Sequence, residues 1–244
     1  MDKAKKQLNQ ERENLVLNKA LALVTSQGFL ALKIADVAKA AGVSIGTFYT
    51  HFESKEDLIV ALAGETWRGR LQVFEALFKK QDLRPSECMI AAAFCDFLFS
   101  LDHPALFVAE QLAVTPQVWK SASFRRTQEI MKIHGAIKST VCEAARKAID
   151  SGEFKAWDDP DKQAAALDRT VCTLMTGSSY IVHAEFTTQE NEEWEAFIPD
   201  FLKEHCTAIF SGYGWLSENP RKDVQRIADY CLKHGRFQQL VNSK

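Results

Sequence analysis

The stretch from Ile34 to Lys55 constrains the fold of this chain more than any other part of the sequence. Its first apolar residues recur at helical spacing, and Gly42 then offers a residue that can end a helix with positive φ. These apolar residues are Ile34, Val37, Ala38 and Ala41. Ser44 is a good N-cap for a second short helix. The stretch therefore predicts two short helices joined by a tight turn.

The second of these helices has two different faces. Phe48 and Phe52, four residues apart, share the side that faces the core. The opposite side is small and polar, with Tyr49 at its edge, and it consists of Gly46, Thr47, Thr50 and His51. A slim polar helix fits the major groove of B-DNA, while donors such as those of Tyr49 and Lys55 can hold phosphate. This division of roles is that of a helix-turn-helix, in which Ser54 caps the following helix.

At this point the run DVAKAAGVSIGTFYTHFESKEDL is similar to the signature of the TetR (tetracycline repressor) family of transcriptional regulators. The similarity covers roughly Leu15 to Ala63. The chain departs from the family pattern at Leu32 and Lys33, where two threonines usually stand. Lys33 cannot cap a helix, but its ammonium group can reach a DNA phosphate.

The resemblance implies an all-α protein with two parts. Residues 1–55 would form a three-helix, helix-turn-helix DNA-binding domain, and the helix 54–80 would link it to the rest. Residues 56–244 would form a larger helical domain that binds an effector and dimerises. By position in the motif, the DNA-binding residues would be Lys33, Ser44, Ile45, Gly46, Thr47, Tyr49, Thr50, His51 and Lys55.

The distribution of charge fits a protein that touches DNA at one end. The net charge is −2, but residues 1–80 carry 12 Lys+Arg against 9 Asp+Glu, and the remainder carries 18 against 23.

The six cysteines are far apart, without a C-x-x-C pair, and are expected to be buried thiols in a reducing compartment. We find no signal-peptide pattern, and the apolar segment from Cys88 to Leu101 is too short to span a membrane. We therefore expect a cytoplasmic protein without a membrane partner.

The rest of the chain shows helical periodicity interrupted by proline and glycine. Residues 1–12 are expected to be a solvated tail, with a DNA-binding arm of Lys3, Lys5 and Lys6 as the alternative. Residues 115–123 are expected to be a loop. Further helices are predicted at 13–27, 56–80, 85–101, 105–114, 124–151, 160 to about 186, and 220–234. One more helix is predicted between the last two, and it begins either at a cap on Asn191 or at Pro199.

Aromatic, methionine and thiol side chains of the C-terminal part can line a small-molecule pocket. The resemblance favours such a pocket for a small apolar or amphipathic effector, although core filling is the likelier account of any single one of these residues. The candidates are Phe94, Phe97, Phe107, Trp119, Met131, Met175 and Tyr180.

Two apolar helices late in the chain match, by resemblance, the pair that forms a four-helix bundle across the two-fold axis of TetR-family dimers. Burial inside a monomer is the alternative. The candidate interface residues are Leu167, Val171, Leu174, Ser178, Ile181, Phe197, Phe201 and Ile209. Helix 220–234 is an addition to the usual family body, and it can pack on the bundle or on the pocket.

Nothing in the sequence predicts catalysis, a cofactor or a metal site. Histidines are scattered singly, and no nucleotide-binding, nucleophile-elbow or metalloprotease motif occurs. We expect a DNA-binding regulator, in family habit a repressor that dissociates from a palindromic operator when an effector binds. A regulator controlled by a protein partner, or a helical enzyme or carrier that retains the module, are the alternatives.

Overall fold

The computed structural model describes residues 3–79, 82–183 and 198–234, and it describes side chains from residue 7 onward. The described residues form helices without a β-strand, which confirms the predicted all-α class; an isolated bridge joins Phe154 and Trp215. We label the helices α1 to α11 in chain order. They are α1 (Lys3–Ala31), α2 (Ile34–Ala40), α3 (Ile45–His51), α4 (Lys55–Phe78), α5 (Pro85–Asp102), α6 (Pro104–Ala113), α7 (Pro116–Ser121), α8 (Phe124–Asp150), α9 (Pro160–His183), α10 (Asp200–Gly212) and α11 (Pro220–His234).

The chain divides into two compact units. Unit 1 consists of Met1–Arg68 and His103–Ile133, and unit 2 consists of Gly69–Asp102 and His134–Lys244. Helices α4 and α8 each begin in unit 1 and end in unit 2. The boundaries of these compact units differ from the domain boundary expected after residue 55. That domain boundary stays a prediction. Unit 1 adds the start of α4, α6, α7 and the first turns of α8 to the three N-terminal helices.

Unit 1 is built on α1, which is longer than the sequence predicts. It begins at Lys3 rather than near residue 13, so residues 3–12 are helical instead of frayed, although the side chains of residues 7–12 are exposed to solvent as expected. Exposed side chains support this first part of the helix, since Gln7 donates a hydrogen bond to Glu11 at 3.1 Å. The helix is interrupted at Gly28, whose φ of 76° ends the regular turns where the sequence predicts it.

Unit 2 is built around α5, in which every residue from Ser86 to Ser100 is buried. The helix is mainly apolar, its buried Glu87 and Asp96 are ion-paired, and a helix buried on every side belongs in the centre of a core. Helices α9 and α11 pack against α5, and α10 packs against α11. Within the described ranges, no single helix is long and apolar enough to cross a membrane, and only the bent pair α5 and α6 satisfies length and composition together.

The C-terminal helix α11 is an integral part of unit 2. Its predicted apolar face is confirmed, because Val224, Ile227 and Cys231 are buried. At its outer edge, Arg226 forms an ion pair with the buried Glu87 of α5. This helix therefore packs on α5 and α10 within its own chain.

Three local predictions were wrong or lie outside the described residues. Residues 116–121 form the short helix α7, not a loop, because Pro116 is well suited to the first turn of a helix. Cys172 is exposed, while Cys88, Cys95, Cys206 and Cys231 are buried as expected and Cys142 is half-buried. The cap at Asn191 falls outside the described residues, whereas the alternative start at Pro199 agrees with the N-cap of α10.

Candidate DNA-binding surface

The turn between α2 and α3 has the geometry that its sequence predicts. Gly42 has a φ of 64°, a conformation that glycine adopts without strain. The Val43 amide donates to the Ala38 carbonyl at 3.0 Å, and this bond closes the end of α2. Lys33 precedes α2 in an extended conformation and makes no side-chain cap, as expected. The turn therefore fixes the direction in which α3 leaves α2.

Hydroxyl groups organise the first turn of α3. The Ser44 Oγ accepts a hydrogen bond from the Thr47 amide at 3.0 Å, which confirms the predicted N-cap. The Ser44 and Thr47 hydroxyls also lie 2.8 Å apart and share a hydrogen bond. Each hydroxyl has one donor and two acceptor positions, so both retain capacity for a further partner. The Thr50 hydroxyl donates to the Thr47 carbonyl at 2.6 Å.

One face of α3 is buried and the other is open. Phe48 and Phe52 are fully buried and lie against each other with ring centroids 5.3 Å apart. The open face is confined to small or polar side chains, except for Ile45 and Tyr49, which are 52% and 50% exposed. The exposed residues are Ser44, Ile45, Gly46, Tyr49 and Thr50, and Thr47 is half-buried. Their contact with DNA stays a prediction.

His51 is not part of the open face, contrary to the prediction from the sequence. Only 6% of its side chain is exposed, and its Nδ1 lies 3.9 Å from a carboxylate oxygen of Glu13 in α1. A seven-residue helix brings its last residue back toward the core after almost two turns. His51 therefore supports α3 from inside unit 1, away from its open face.

Lys55 also has an internal partner. Its ammonium group donates to the Phe29 carbonyl at 2.7 Å, so it satisfies the carbonyl just beyond the break at Gly28. Lys55 is half-buried, whereas Lys33 is exposed. Of the two lysines expected to hold phosphate, Lys33 has the open position and Lys55 anchors the end of α1.

The proposed pocket residues are divided between the two units. Phe107, Trp119 and Met131 belong to unit 1, and Phe94, Phe97, Met175 and Tyr180 belong to unit 2. Phe94 and Phe97 are fully buried in the core of unit 2, whereas Met131 and Tyr180 are 57% and 59% exposed. Unit 2 contains a cavity of about 440 Å³ whose lining is different. It is lined by Glu75, Phe78, Lys79, Leu83, Pro85, Cys88, Thr140, Glu143, Ala144 and Lys147.

The predicted dimer stripe of α9 faces inward. Leu167, Val171, Leu174 and Ser178 are at most 5% exposed, because this side of α9 packs on α5. The monomer-core alternative is therefore correct for these four residues. Ile181 is exposed, Phe201 and Ile209 are half-buried, and Phe197 lies outside the described residues. The outward side of α9 carries Arg169, Cys172, Thr173, Thr176, Gly177, Tyr180 and Ile181.

Polar residues that the sequence did not single out surround the last turn of α3. Asp57 is fully buried in α4, and Arg126 of α8 is 2% exposed. Asp57 stands three residues after Ser54, whose Oγ caps α4 by accepting from the Asp57 amide at 3.0 Å. That capping-box spacing was the available signal for Asp57. Arg126 pairs with Glu13, 113 residues away, and one sequence gives no sign of such a pair.

Comparison with known proteins identifies the segment that carries this surface. Residues 16–62 match the family described as bacterial regulatory proteins, tetR family. The HTH-type transcriptional regulator YerO of Bacillus subtilis, itself uncharacterised, is 28% identical over 128 residues, which are 51% of this chain and 44% of that protein. The chain thus aligns with less than half the length of this relative.

Solved structures share the fold over most of the chain. RolR in complex with resorcinol superposes with a TM-score of 0.58 at 17% identity, covering 91% of this chain and 96% of that one. The regulator FadR of Bacillus subtilis in complex with stearoyl-CoA gives a TM-score of 0.52 at 18% identity, covering 88% and 96%. At such identities the similarity establishes the fold alone.

Proposed function

We start from the membership of this chain in the tetR family, carried by residues 16–62, and propose that it is a DNA-binding transcriptional regulator that acts as a dimer. One observation supports this most directly. Helix α3 presents a small polar face to solvent while Phe48 and Phe52 fix its other face in the core. A rigid helix with an open polar face is what the major groove accepts.

At the DNA, two copies of α3 would enter successive major grooves of a palindromic site. Ser44, Ile45, Thr47 and Thr50 would lie toward base edges, since they occupy the open face and its first turn. Tyr49 and Lys33 would hold phosphate from the edges of that face. His51 and Lys55 support the module from inside, so we remove them from the DNA contacts.

We place the dimer interface on the outward side of α9. Among the residues that the structure describes, this side is open, and Gly177 on it leaves room for a close approach, because none of them lies within 4 Å of a Cβ added there. Small residues at the centre of such a stripe let two helices pack closely. Ile181 and Tyr180 extend the same side with exposed apolar surface.

Gly177→Glu tests this interface. The added side chain meets open space in the monomer, and replacing glycine in a helix favours folding, so the chain should fold normally. A buried unpaired carboxylate at a helix–helix contact should prevent dimerisation. Sedimentation velocity would show a monomer. Gly135→Glu on α8 is the matched control, since its added Cβ also meets open space. Persistence of the dimer in Gly177→Glu would exclude this side of α9.

We also propose that the dimer responds to a small apolar or amphipathic effector bound in unit 2, and that it represses transcription when free. Two structural neighbours hold small molecules, resorcinol in one and stearoyl-CoA in the other. The cavity of about 440 Å³ is within the size range of ligand pockets. It combines apolar residues such as Phe78 and Leu83 with charged residues such as Lys79 and Lys147, a mixture that suits an amphipathic molecule.

The effector would act by binding one conformer of the dimer more tightly than the other. A coupling free energy of about 1–3 kcal/mol corresponds to a loss of DNA affinity of about 5- to 150-fold. If no small molecule raises the melting temperature or weakens DNA binding, control by a protein partner is favoured instead.

The experiment that tests the proposed function is selection of duplexes from a random library by the purified protein, followed by footprinting. We expect a palindromic sequence whose half-sites are one helical turn apart. Failure to enrich any sequence would favour the alternative of a helical enzyme or carrier.

A further inference from the structure

The last turn of the recognition helix α3 is held by the start of α8. The residues involved come from α1, α3, α4 and α8, and all of them belong to unit 1. We call this group the α8 latch, and define it as Glu13, His51, Ser54, Asp57, Ser123, Arg125 and Arg126 with the backbone that they bind. This inference rests on the proposed function, because it concerns how DNA affinity is controlled.

The first contact places the positive charge of Arg125 at the C-terminal end of α3. Arg125, an exposed residue in the first turn of α8, donates from its guanidinium group to the His51 carbonyl at 3.2 Å. This carbonyl belongs to the last residue of α3, where backbone acceptors lack helical partners. A cation there also interacts favourably with the helix dipole. Arg125 therefore fixes the end of α3 without entering the core.

The second contact lies in the core. The Arg126 guanidinium donates to Glu13 at 2.8 Å and to Glu129 at 3.3 Å, and it lies 5.5 Å from the centre of the Phe52 ring. Phe52 is the C-cap residue of α3. The other oxygen of the Glu13 carboxylate lies 3.9 Å from His51 Nδ1. A buried guanidinium has few alternative positions, so Arg126 couples α8 to both α1 and α3.

The third contact joins α8 to the turn between α3 and α4. The fully buried Asp57 carboxylate accepts from the Ser123 amide at 2.9 Å and from the Ser123 hydroxyl at 2.7 Å. Its second oxygen accepts from the Glu53 amide at 3.3 Å, in the turn that follows α3. The Ser54 hydroxyl donates to the Ser121 carbonyl at 3.2 Å. Ser123 precedes α8 directly, so the helix start and the turn are fixed together.

We propose that the α8 latch positions the recognition helix, and that a displacement of α8 lowers DNA affinity although α8 itself does not touch DNA. Helix α8 is continuous from this latch to Asp150, which belongs to unit 2. A ligand that shifts α8 therefore pulls on the end of α3 through two adjacent arginines. Arg125 and Arg126 are positioning residues in this scheme.

The test compares Arg125→Ala and Ser123→Ala with the wild-type protein, using the duplex that the wild-type protein selects from a random library. Neither change leaves an unpaired buried charge, so both variants should remain folded. Each should lose DNA affinity by about fivefold or more, the lower end of ordinary coupling between sites. Arg146→Ala is the matched control, because it removes an exposed arginine from the far end of the same helix, where it pairs with Asp150.

Two readouts separate positioning from direct contact. A phosphate ligand contributes about 0.9 to the slope of log affinity against log salt, whereas a positioning residue leaves the slope unchanged. Hydrogen exchange without DNA should be faster at the last turn of α3 in both variants and unchanged in Arg146→Ala. A lower slope for Arg125→Ala, unchanged affinity, or unchanged exchange would each overturn the latch.

Failure of the latch and failure of the proposed function give different results. If the wild-type protein selects no duplex, the proposed function fails, and the exchange measurement alone decides whether α8 holds α3. If the wild-type protein selects a duplex and Arg125→Ala binds it equally well, only the latch fails.

Discussion

The two compact units of this protein are stabilised in different ways. In unit 1, buried charged groups connect elements that are distant in sequence, as Arg126 does with Glu13 and Asp57 does with Ser123. In unit 2, the centre is the mainly apolar helix α5, whose two buried carboxylates form ion pairs, Asp96 with Arg70 and Glu87 with Arg84 and Arg226. Unit 1 therefore joins its helices through buried charged groups, whereas unit 2 adds its ion pairs to a large apolar centre.

This difference suits the role proposed for each unit. Charged hydrogen bonds are directional, and they fix a helix end in a definite position. Apolar packing is less directional and tolerates rearrangement when total volume is conserved. A recognition helix needs the first property, and a body that changes conformation when the proposed effector binds benefits from the second.

The largest expected effect comes from breaking the buried ion pair in unit 1. Glu13→Leu leaves Arg126 buried with Glu129 alone, and removal of one partner of a buried pair costs about 3–5 kcal/mol. The double variant Glu13→Leu/Arg126→Met should recover most of this loss, because well-packed apolar residues often replace a buried pair without cost. Denaturant unfolding of the three proteins measures the change.

Unit 2 provides the control for this prediction. Phe94→Ala, at a fully buried position of α5, should also cost about 3–5 kcal/mol through the cavity that it creates. Hydrogen exchange should then become faster in α5 and α9 and stay unchanged in α1 to α3. If Glu13→Leu were as stable as the wild-type protein, the contrast between the two units would be lost.

A smaller effect separates the exposed lysine of the DNA surface from the internal one. Lys33→Ala should weaken binding to all sequences alike and reduce the salt slope by about 0.9 per half-site. Lys55→Ala should leave the slope unchanged and lower stability, since the ammonium group binds the Phe29 carbonyl. Titrations at several salt concentrations measure both. Equal slopes for Lys33→Ala and the wild-type protein would remove Lys33 from the phosphate contacts.

The sequence predicts local structure well where neighbouring residues determine it. Ser44 caps α3, Gly42 adopts positive φ, and the Asp159 side chain accepts from the Lys162 amide at 3.0 Å at the start of α9. The hydrogen bond from the Lys162 amide is the largest of the causes that hold the pKa of Asp159 below its ordinary value. Each of these interactions spans at most a few residues, so it is visible in the local sequence.

The sequence fails where orientation depends on distant elements. The periodicity of α9 shows that Leu167, Val171 and Leu174 share one side, but not whether that side faces α5 or a second copy of the chain. His51 is polar and lies beside exposed residues, yet the end of α3 turns it toward Glu13. Within the α8 latch, Ser123, Arg125 and Arg126 bind residues that lie 66 to 113 positions earlier, which no local pattern reveals.

The central claim is that the open face of α3 is the surface that meets DNA. Gly46 lies on this face, and a Cβ added there makes only an ordinary contact of 3.7 Å with Ser44 Oγ. Gly46→Glu should fold normally, since an acidic residue in the first turn of a helix is favourable. Binding of the selected duplex by this variant is the most direct test. We expect a loss of at least about tenfold from bulk and phosphate repulsion, with Gly135→Glu unaffected; equal affinity for both variants would contradict the claim.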